Sequence, residues 1–551
     1  MRNTPIESTK LGRFPVALLV TALAAGCGAA NIKHGPLPCG QVGTAGCGKT
    51  CLSNLDCGSG LYCGPNKICA ADCTQGSTTC GADAYCDTLG QCAPLPPSGD
   101  GGVFVCPPGL QCNVACPGST TTTVTGKVYD PAGKNPLYNV AVYVPKNPLT
   151  PLPAGVPTGS DACSCPALYK SGAIVSTSTA EDGTFTLKNV PVGANVPLVL
   201  QIGKWRRKIT IPVTQCQDNP QADKSLAFLG TVPSGDSDDN IPDIAVSTGS
   251  ADTLECLMRR IGLPTTEYVA GAGTTGHVHI FSGGMSGGGG GGMVGRPESP
   301  AMPGAPASST SLWMTQAQMM PYDIVLLSCE GGETYNANPQ ALEDYLNAGG
   351  RAFASHFHYS WFSGPLASGQ AYTAPADWGT NLATWTANSG MSNGVIGGII
   401  QTTLNGSTMP FPKGVSLQKW LTNINALGQN GVPAGELSIY QPRYNATVSA
   451  ANMPSQAWIA SDASGMSGAT MYLSFDTPTV VPVDGHVCGR AVFSDLHVAG
   501  NPATSDNPPP PDGCDNVDLS PQEKALEFML FDLSSCVIPD GMPPPTGVPI
   551  G

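Results

Sequence analysis

The chain has 551 residues, of which only 12% are charged, while 69 are Gly and 52 are Pro. This length predicts two or three domains, and the composition favours strands, turns and linkers over long solvated helices. The formal net charge of −14 argues against nucleic acid as a partner, because binding to phosphates requires clustered Lys and Arg.

An apolar segment near the amino terminus ends at Ala24-Ala-Gly-Cys27, and basic residues precede it. The pattern resembles a bacterial lipobox, so we expect residues 1–26 to be a signal peptide that is removed before a lipidated Cys27. An ordinary secretory signal is the alternative. The sequence has no other apolar run of about 18 residues, so the membrane is expected as a partner through the lipid anchor alone. The predicted location is the bacterial cell envelope, at the outer membrane or the cell surface.

Residues 27–119 contain most of the 22 cysteines. Four cysteines recur at near-constant spacing, first as Cys51, Cys57, Cys63 and Cys69 and then as Cys73, Cys80, Cys86 and Cys92. Units with so few apolar residues need cross-links to be stable. Disulfides are favoured over zinc sites, because the chain is expected to be exported and because the cysteines of zinc sites are spaced more closely than these. We interpret this region as a cross-linked stalk.

The cysteine count also predicts one unpaired thiol. If one bridge joins the stalk to the group formed by Cys163, Cys165 and Cys216, both groups can pair completely, and the five cysteines from Cys256 onward leave an odd member. We expect Cys329 to be that member. A Cys256–Cys329 bridge is the main alternative.

Alternation of apolar and polar residues predicts short strands throughout residues 120–233. Two motifs, Gly126-Lys-Val-Tyr-Asp-Pro-Ala-Gly133 and Thr179-Ala-Glu-Asp-Gly-Thr-Phe185, resemble those of carboxypeptidase regulatory-like domains. The resemblance implies a small transthyretin-like β-sandwich without catalytic residues. The basic cluster Trp205-Arg-Arg-Lys208 is interpreted as a hairpin turn rather than a glycan-binding patch, and the acidic residues 235–240 as a linker rather than a calcium loop.

Strand and helix patterns alternate in residues 241–537 and predict an α/β domain with a doubly wound, mainly parallel sheet. We expect a helix with Ser250 as its N-cap that stops at Gly262, and a second helix with Asn338 as its N-cap. The last helix is expected to begin with the capping box Ser520-Pro-Gln-Glu523. The Gly-rich residues 283–292 are interpreted as a loop, and the Pro-rich residues 538–551 as a tail.

Polar residues follow several of the predicted strands, where open α/β sheets bind their ligands. Ser247, Thr248 and Gly249 precede a helix and predict an anion-binding site. Further candidates follow later strands: Cys329, Glu330, His356, His358, Asp495 and His497.

The region resembles the class I glutamine amidotransferase-like fold, in particular its trehalose-utilisation branch. The matching elements are Tyr322-Asp-Ile-Val-Leu-Leu327, Tyr345-Leu-Asn-Ala-Gly-Gly350 and Gly489-Arg-Ala-Val-Phe493. Catalytic members place a nucleophilic cysteine where this chain has His356, and a His-x-Glu pair where it has Asp495-x-His497. The family's catalytic triad is therefore not expected here.

Three interpretations of these polar residues stay open. Cys329 could be a nucleophile, with Glu330 and His356 completing a catalytic set. Histidines on alternate residues could instead bind a zinc cofactor, with His356, His358, Asp495 and His497 as ligands. In the third interpretation, the side chains only form hydrogen bonds to loops at the sheet edge.

The order of regions resembles exported bacterial lipoproteins that are mostly uncharacterised. Some of these carry the name tryptophan synthase alpha chain, which this sequence does not support because no eight-fold βα repeat is present. We therefore expect a binding protein for surface glycan or envelope protein. The alternative is a metal- or cysteine-dependent hydrolase of carbohydrate or amide substrates, which requires Cys329, His356 and His497 to share one space.

Overall fold

The computed structural model describes most of the chain after residue 105 and short stretches before it. The described residues are 37, 39, 46–51, 57, 61–63, 66–73, 84–86, 92–94, 106–118, 120–249, 251–283, 301–333, 338–364, 366, 373–387, 394–463, 465, 468–480, 487–498 and 509–548. Cys27, the predicted signal peptide and residues 284–292 lie outside this set. The chain divides into two compact units, residues 1–100 and 101–551.

Disulfides hold the first unit together, as the cysteine repeats predict. In the first repeat, Cys51 bonds to Cys63 and Cys57 bonds to Cys69, so that the first cysteine pairs with the third and the second with the fourth. Bonded cysteines offer no thiolate to a metal, and the zinc alternative for this repeat is wrong. The strands of this unit form two antiparallel pairs: β1 Tyr62–Cys63 with β2 Cys69–Ala70, and β3 Ala84–Cys86 with β4 Cys92–Pro94.

The second unit begins with eight strands in two four-stranded sheets. One sheet has the order β10-β9-β6-β7, and in the other β5 pairs with β8, β11 and β12. Val124 and Leu187 of one sheet and Val142 and Leu200 of the other belong to the same buried core, because alternate residues of each strand point inward. The strands are β5 Thr123–Tyr129, β6 Ala141–Pro145, β7 Ala173–Ser178, β8 Thr184–Lys188, β9 Gly193–Ile202, β10 Trp205–Val213, β11 Asp218–Pro220 and β12 Leu226–Ala227.

The basic cluster lies where strands β9 and β10 meet in a hairpin, as expected. Its side chains bind the acidic loop that follows the sandwich. Arg206 donates to the carbonyl oxygens of Ser237 and Asp238, and Lys208 Nζ lies 2.6 Å from Asp238 Oδ2. The two charged segments therefore neutralise each other within the fold.

A mixed ten-stranded sheet forms the core of the remaining chain, with the order β14-β15-β13-β16-β17-β24-β23-β22-β19-β20. Pairing is parallel from β14 to β24 and antiparallel from β24 to β20. Only the first half matches the expected parallel sheet, because short connections such as that between β22 and β23 can join only antiparallel neighbours. The strands of this sheet are β13 Ile244–Ser247, β14 Tyr268–Ala270, β15 Val278–Phe281, β16 Ile324–Leu327, β17 Arg351–Ser355, β19 Val395–Ile400, β20 Leu437–Tyr440, β22 Ser455–Ser461, β23 Ala469–Thr477 and β24 Gly489–Ser494. A separate antiparallel pair consists of β18 Thr384–Trp385 and β21 Ala446–Thr447.

Helices pack around this sheet. The expected helix after β13 has Thr253 rather than Ser250 as its N-cap, and the next has Pro339 rather than Asn338. The last helix has the predicted capping box, in which Ser520 and Glu523 satisfy each other's backbone N–H groups. The helices are α1 Leu254–Arg260, α2 Ser308–Ser311, α3 Gln316–Met319, α4 Gln340–Asn347, α5 Tyr359–Ser363, α6 Pro412–Asn423 and α7 Pro521–Ser534. Among the described residues, no helix combines the length and apolarity needed to span a bilayer.

The disulfides of the second unit confirm the expected bridge to Cys216, and they show that the expected pairing of Cys163 and Cys165 is wrong. Cys116 bonds to Cys216, as the expected exchange requires. Cys163 and Cys165 were expected to pair with cysteines of residues 27–233, but they bond to Cys488 and Cys536. The other two described pairs are Cys106–Cys112 and Cys256–Cys514. The predicted alternative bridge between Cys256 and Cys329 is therefore wrong, and Cys329 is the free cysteine of the described chain.

Candidate metal centre

Three side chains meet where three adjacent parallel strands end. Strands β16, β17 and β24 are neighbours in the sheet, and Cys329, His356 and His497 follow them. One ligand atom from each residue, the thiol sulfur and one nitrogen of each imidazole, lies within 4.8 Å of the other two. Cys329, His356 and His497 therefore share one space, as a metal- or cysteine-dependent hydrolase requires.

Local backbone structure fixes this arrangement. Ser355 ends β17, and its Oγ accepts a hydrogen bond of 3.0 Å from the Cys329 N–H. His356 comes next with a φ of 50°, a left-handed conformation that is uncommon for residues with a side chain. Such a turn redirects the chain sharply at the strand end. The His356 ring stacks on the His497 ring, with 3.3 Å between the ring centroids.

The cluster is buried, with exposed fractions of 1% for Cys329, 0% for His356 and 3% for His497. Neither ring nitrogen of either histidine makes a hydrogen bond of ordinary geometry with the described residues, although the Gln441 backbone lies near enough to His497 to raise its pKa against the effect of burial. Burying an imidazole nitrogen without a partner costs free energy, so a ligand that accepts those lone pairs would stabilise the arrangement.

Burial keeps the side chains uncharged in the absence of a ligand. It raises the pKa of the Cys329 thiol to about 12 and lowers the pKa of His497 to about 3. Burial and the neighbouring charge of His497 also hold the pKa of His356 well below its ordinary value. The imidazoles are therefore neutral, which is the state that binds metals.

The donor set fits a thiophilic transition metal. A tetrahedral zinc ion with one sulfur and two nitrogen ligands separates the donor atoms by about 3.6 Å. The three donors lie within 4.8 Å of one another, and the stacked rings of His356 and His497 would have to rotate for the in-plane lone pairs of both to point at one ion. Two neutral imidazoles and one thiolate are among the ligand combinations that zinc prefers.

Two of the predicted zinc ligands, His358 and Asp495, do not belong to this cluster. His358 is buried 5.0 Å from the Trp361 ring, measured between centroids, and burial lowers its pKa to about 3. Asp495 Oδ2 accepts the Asn445 N–H at 2.8 Å, and burial raises the pKa of Asp495 to about 8. The predicted zinc ligands His358 and Asp495 thus lie outside the set of three close donors.

Glu330 and the predicted anion site lie close to Cys329 in the fold. A side chain at Gly283 would collide with Glu330 Oε1 and Ser247 Oγ, which places these groups together. Glu330 lies outside the close donor set as well, although its neighbour Cys329 belongs to it. Its carboxylate is 3% exposed.

The side-chain hydroxyls of the predicted anion site make hydrogen bonds within the fold. Ser247 Oγ lies 2.8 Å from Ser308 Oγ, and Thr248 Oγ1 accepts the Gly283 N–H. Gly249 packs so closely on the Cys329 carbonyl that a larger residue would collide there. Helix α1 begins only at Leu254 and has seven residues, too short and too distant to direct its N-terminus at these residues.

Sequence reasoning missed Arg443, which lies beside the cluster. Its guanidinium carbon is 5.1 Å from the centroid of the Phe357 ring, next to His356 in the chain. Burial has the larger effect on the pKa of all three groups. The positive charge of Arg443 opposes the rise in the pKa of Cys329 and adds to the lowering of the pKa of His356 and His497. Arg443 follows β20 in a segment without periodicity, so the sequence carries no signal of this position.

No known protein family, curated protein or solved structure matches the chain.

Proposed function

We propose that this chain is a cell-envelope lipoprotein whose α/β region binds zinc through Cys329, His356 and His497 and hydrolyses carbohydrate or amide substrates there. One observation carries the proposal: three donor atoms of metal-ligand type converge within 4.8 Å in a buried site. The unpartnered ring nitrogens of the two histidines support it.

Three protein ligands leave one tetrahedral position for water, as in catalytic rather than structural zinc sites. If Cys329, His356 and His497 held zinc there, the metal would supply a water with a pKa of about 7. Hydrolysis of an amide would then add that water across the carbon–nitrogen bond, with its oxygen on the carbonyl carbon and a proton on the leaving amine.

A metal-free cysteine nucleophile is less compatible with the site. A nucleophilic cysteine needs a substantial thiolate fraction near neutral pH, and burial raises the pKa of Cys329 to about 12. The purely structural interpretation requires hydrogen bonds from the histidines to loops. Neither ring nitrogen of His356 makes one with the described residues, whereas the Gln441 backbone lies near enough to His497 to raise its pKa.

The envelope location rests on the lipobox-like residues before Cys27 and on the cysteine content. The Cys-rich region would then be a protease-resistant stalk, and the sandwich an accessory module. The competing function is binding of surface glycan or envelope protein without catalysis. Such binding needs no metal.

Metal analysis of the full-length protein tests the centre directly. We expect about one zinc per chain after exposure to zinc and removal of excess metal, and a loss of that zinc in His356→Gln and His497→Gln. His277→Gln is the matched control, because His277 is paired with Glu267 at 2.5 Å and is 27% exposed away from the cluster. Absence of bound zinc in the unchanged protein would overturn the proposal.

Hydrolysis is tested separately on a panel of acylated amino sugars, oligosaccharides and peptides. Activity should disappear with a chelator, return with zinc, and be absent in His497→Gln. Stoichiometric zinc without turnover of any substrate class would refute the hydrolase while retaining the metal centre. Glycan binding that is unchanged after zinc removal would favour the competing binding function.

A further inference from the structure

A cavity lies at the amino ends of parallel strands of the large sheet, opposite the proposed metal centre. Its volume is about 120 Å³, and its wall includes Ile324 and Arg351, the first residues of β16 and β17. Cys329, His356 and His497 follow the other ends of these two strands and of β24. The cavity is therefore a separate site from the metal centre.

Two disulfides hold the wall of this cavity in place. Cys163 bonds to Cys488 and Cys165 bonds to Cys536, and all four cysteines line the cavity. The bonds attach residues 156–168 of the sandwich region to the start of β24 and to the end of helix α7. A cavity that is held open in this way loses little conformational entropy when a ligand binds.

Arg351 is the one charged residue of the wall without an ion pair in the described chain. Lys204 Nζ lies 2.5 Å from Asp323 Oδ1, and Asp161 Oδ2 lies 2.5 Å from Lys170 Nζ. The charges within each of these two pairs cancel. Arg351 therefore gives the cavity a net positive charge.

The hydrogen bonds of the Arg351 guanidinium leave one of its nitrogens largely available. Nε and Nη1 donate to four backbone carbonyl oxygens, those of Leu533, Gly349, Gly350 and Cys488. Such bonds cap the carboxyl ends of helices α7 and α4 and supply no full negative charge. Nη2 has a single partner among the described residues, the Ser535 carbonyl oxygen at 3.4 Å. Since Nη2 has two hydrogens, at least one of them is free to bind a ligand.

The positive charge of Arg351 is poorly compensated by its surroundings. Burial, together with the charge of Arg490, lowers the pKa of Arg351 to about 10. Asp476 and Asp532 act in the opposite sense, but both carboxylates are bonded to Arg490. A bound anion would stabilise this charge.

We infer that the cavity binds a small organic carboxylate, whose oxygens accept hydrogen bonds from Arg351 and whose hydrocarbon part packs against apolar residues of the wall. Val156, Leu168 and Val537 are among these apolar residues. Apolar cavities of similar volume hold one molecule the size of benzene, so the ligand has about six non-hydrogen atoms. A guanidinium is the side chain best suited to the planar carboxylate group.

Calorimetric titration of the full-length protein with butyrate tests the inference. Butyrate should bind roughly tenfold more tightly than acetate, because two more methylene groups are buried. Butanamide has the shape of butyrate without its charge, and it should bind about tenfold more weakly than butyrate or worse. Titrations are made with and without a chelator, since a metal ion at the proposed centre can itself bind a carboxylate.

Two variants locate the bound butyrate. Arg351→Met should weaken binding about tenfold or more. Ala348→Phe retains Arg351 and fills part of the cavity, so it should abolish binding, and it tests the inference even if Arg351→Met does not fold. Arg207→Met is the control, because Arg207 has the same charge and lies in strand β10, outside the cavity wall.

Absence of butyrate binding by the unchanged protein would overturn the inference. Equal affinities for butyrate and butanamide, or an unchanged affinity in Ala348→Phe, would do the same. Binding that a chelator abolishes belongs to the metal centre and would also overturn the inference. Binding that persists with the chelator and is lost in Ala348→Phe would support it, whether or not the chain holds zinc.

Discussion

Two buried carboxyl groups meet where the sandwich packs on helix α7, and they predict a specific pH dependence of stability. Asp130 is 1% exposed and Glu527 is 0% exposed. Asn135 Nδ2 donates to Glu527 Oε2, and the Lys134 N–H donates to Asp130 Oδ1, both at 2.7 Å. The remaining oxygens have no other partner among the described residues, so a proton shared between the two carboxyl groups satisfies both.

Burial raises the pKa of Asp130 from 3.8 to about 6, and burial together with the charge of Asp130 holds the pKa of Glu527 well above its usual range. The folded protein thus binds both carboxyl protons more tightly than the unfolded chain. The Asp130 proton is lost as the pH rises through about 6, whereas the proton shared with Glu527 is retained at that pH, so the stabilisation that Asp130 contributes is present below about pH 4 and is lost as the pH rises through about 6. A shift of roughly two pKa units corresponds to about 3 kcal/mol for Asp130.

Asp130→Asn tests this reasoning, because the amide retains the shape of the side chain and removes one ionisable group. Unfolding free energies are measured in urea at pH 4, 5.5 and 7 with the disulfides intact. Relative to the unchanged protein, the variant should gain up to about 3 kcal/mol between pH 4 and pH 7. Asp518→Asn is the control, since the Asp518 side chain is 84% exposed and Lys134 lowers its pKa, outside this pH window. Parallel pH profiles for Asp130→Asn and the unchanged protein would refute the raised pKa of Asp130.

Three further outcomes follow from burial and backbone geometry. Lys204→Met should destabilise the fold by about 3 kcal/mol or more in a urea titration, because it leaves Asp323 buried without the ammonium that lies 2.5 Å away. The control Lys170→Met removes an ion pair with Asp161 whose side chains are 49% and 33% exposed, and it should cost under about 1 kcal/mol in the same titration. Gly262→Ala should cost about 3 kcal/mol by urea unfolding, since its φ is 109° and a Cβ would collide with the backbone after β5; an unchanged midpoint would contradict this. A thiol reagent should modify Cys329 in chelated, urea-unfolded protein and not in the native protein, as peptide mass mapping would reveal; rapid labelling of the native protein would contradict the burial of this thiol.

Strand periodicity and turn chemistry were sufficient to predict the sandwich strands, because one face of each strand is buried and alternation is strong there. The capping box at Ser520 was predicted for a similar reason, since it is a purely local pattern. The antiparallel half of the large sheet was not predicted, because a buried apolar run indicates a strand without its direction. Disulfide partners such as Cys163 and Cys488 are 325 residues apart, and spacing contains no information at that distance.

Most of the candidate site was predicted from a topological rule, which places the ends of adjacent parallel strands at one edge of a sheet. This rule selected Cys329, His356 and His497 without any knowledge of side-chain directions. It also selected His358, which the short 3₁₀ turn at His356–His358 directs toward Trp361 instead. Alternate residues share a face only on an extended strand, and the chain is no longer extended there.

Strand β24 has a disulfide at its first end and the proposed metal centre at its other end. Cys488, immediately before the strand, is bonded to Cys163 of the sandwich region, and His497 lies just beyond the other end. The parallel neighbour β17 is paired with β24 along its length and ends at the residue before His356. Metal ligands must be held within about 0.5 Å of their working geometry, and rigid strands achieve this better than loops. A disulfide that fixes β24 to the sandwich at one edge therefore stabilises the position of the histidines at the other, which gives the sandwich a structural role in the site although it contributes none of the three donors.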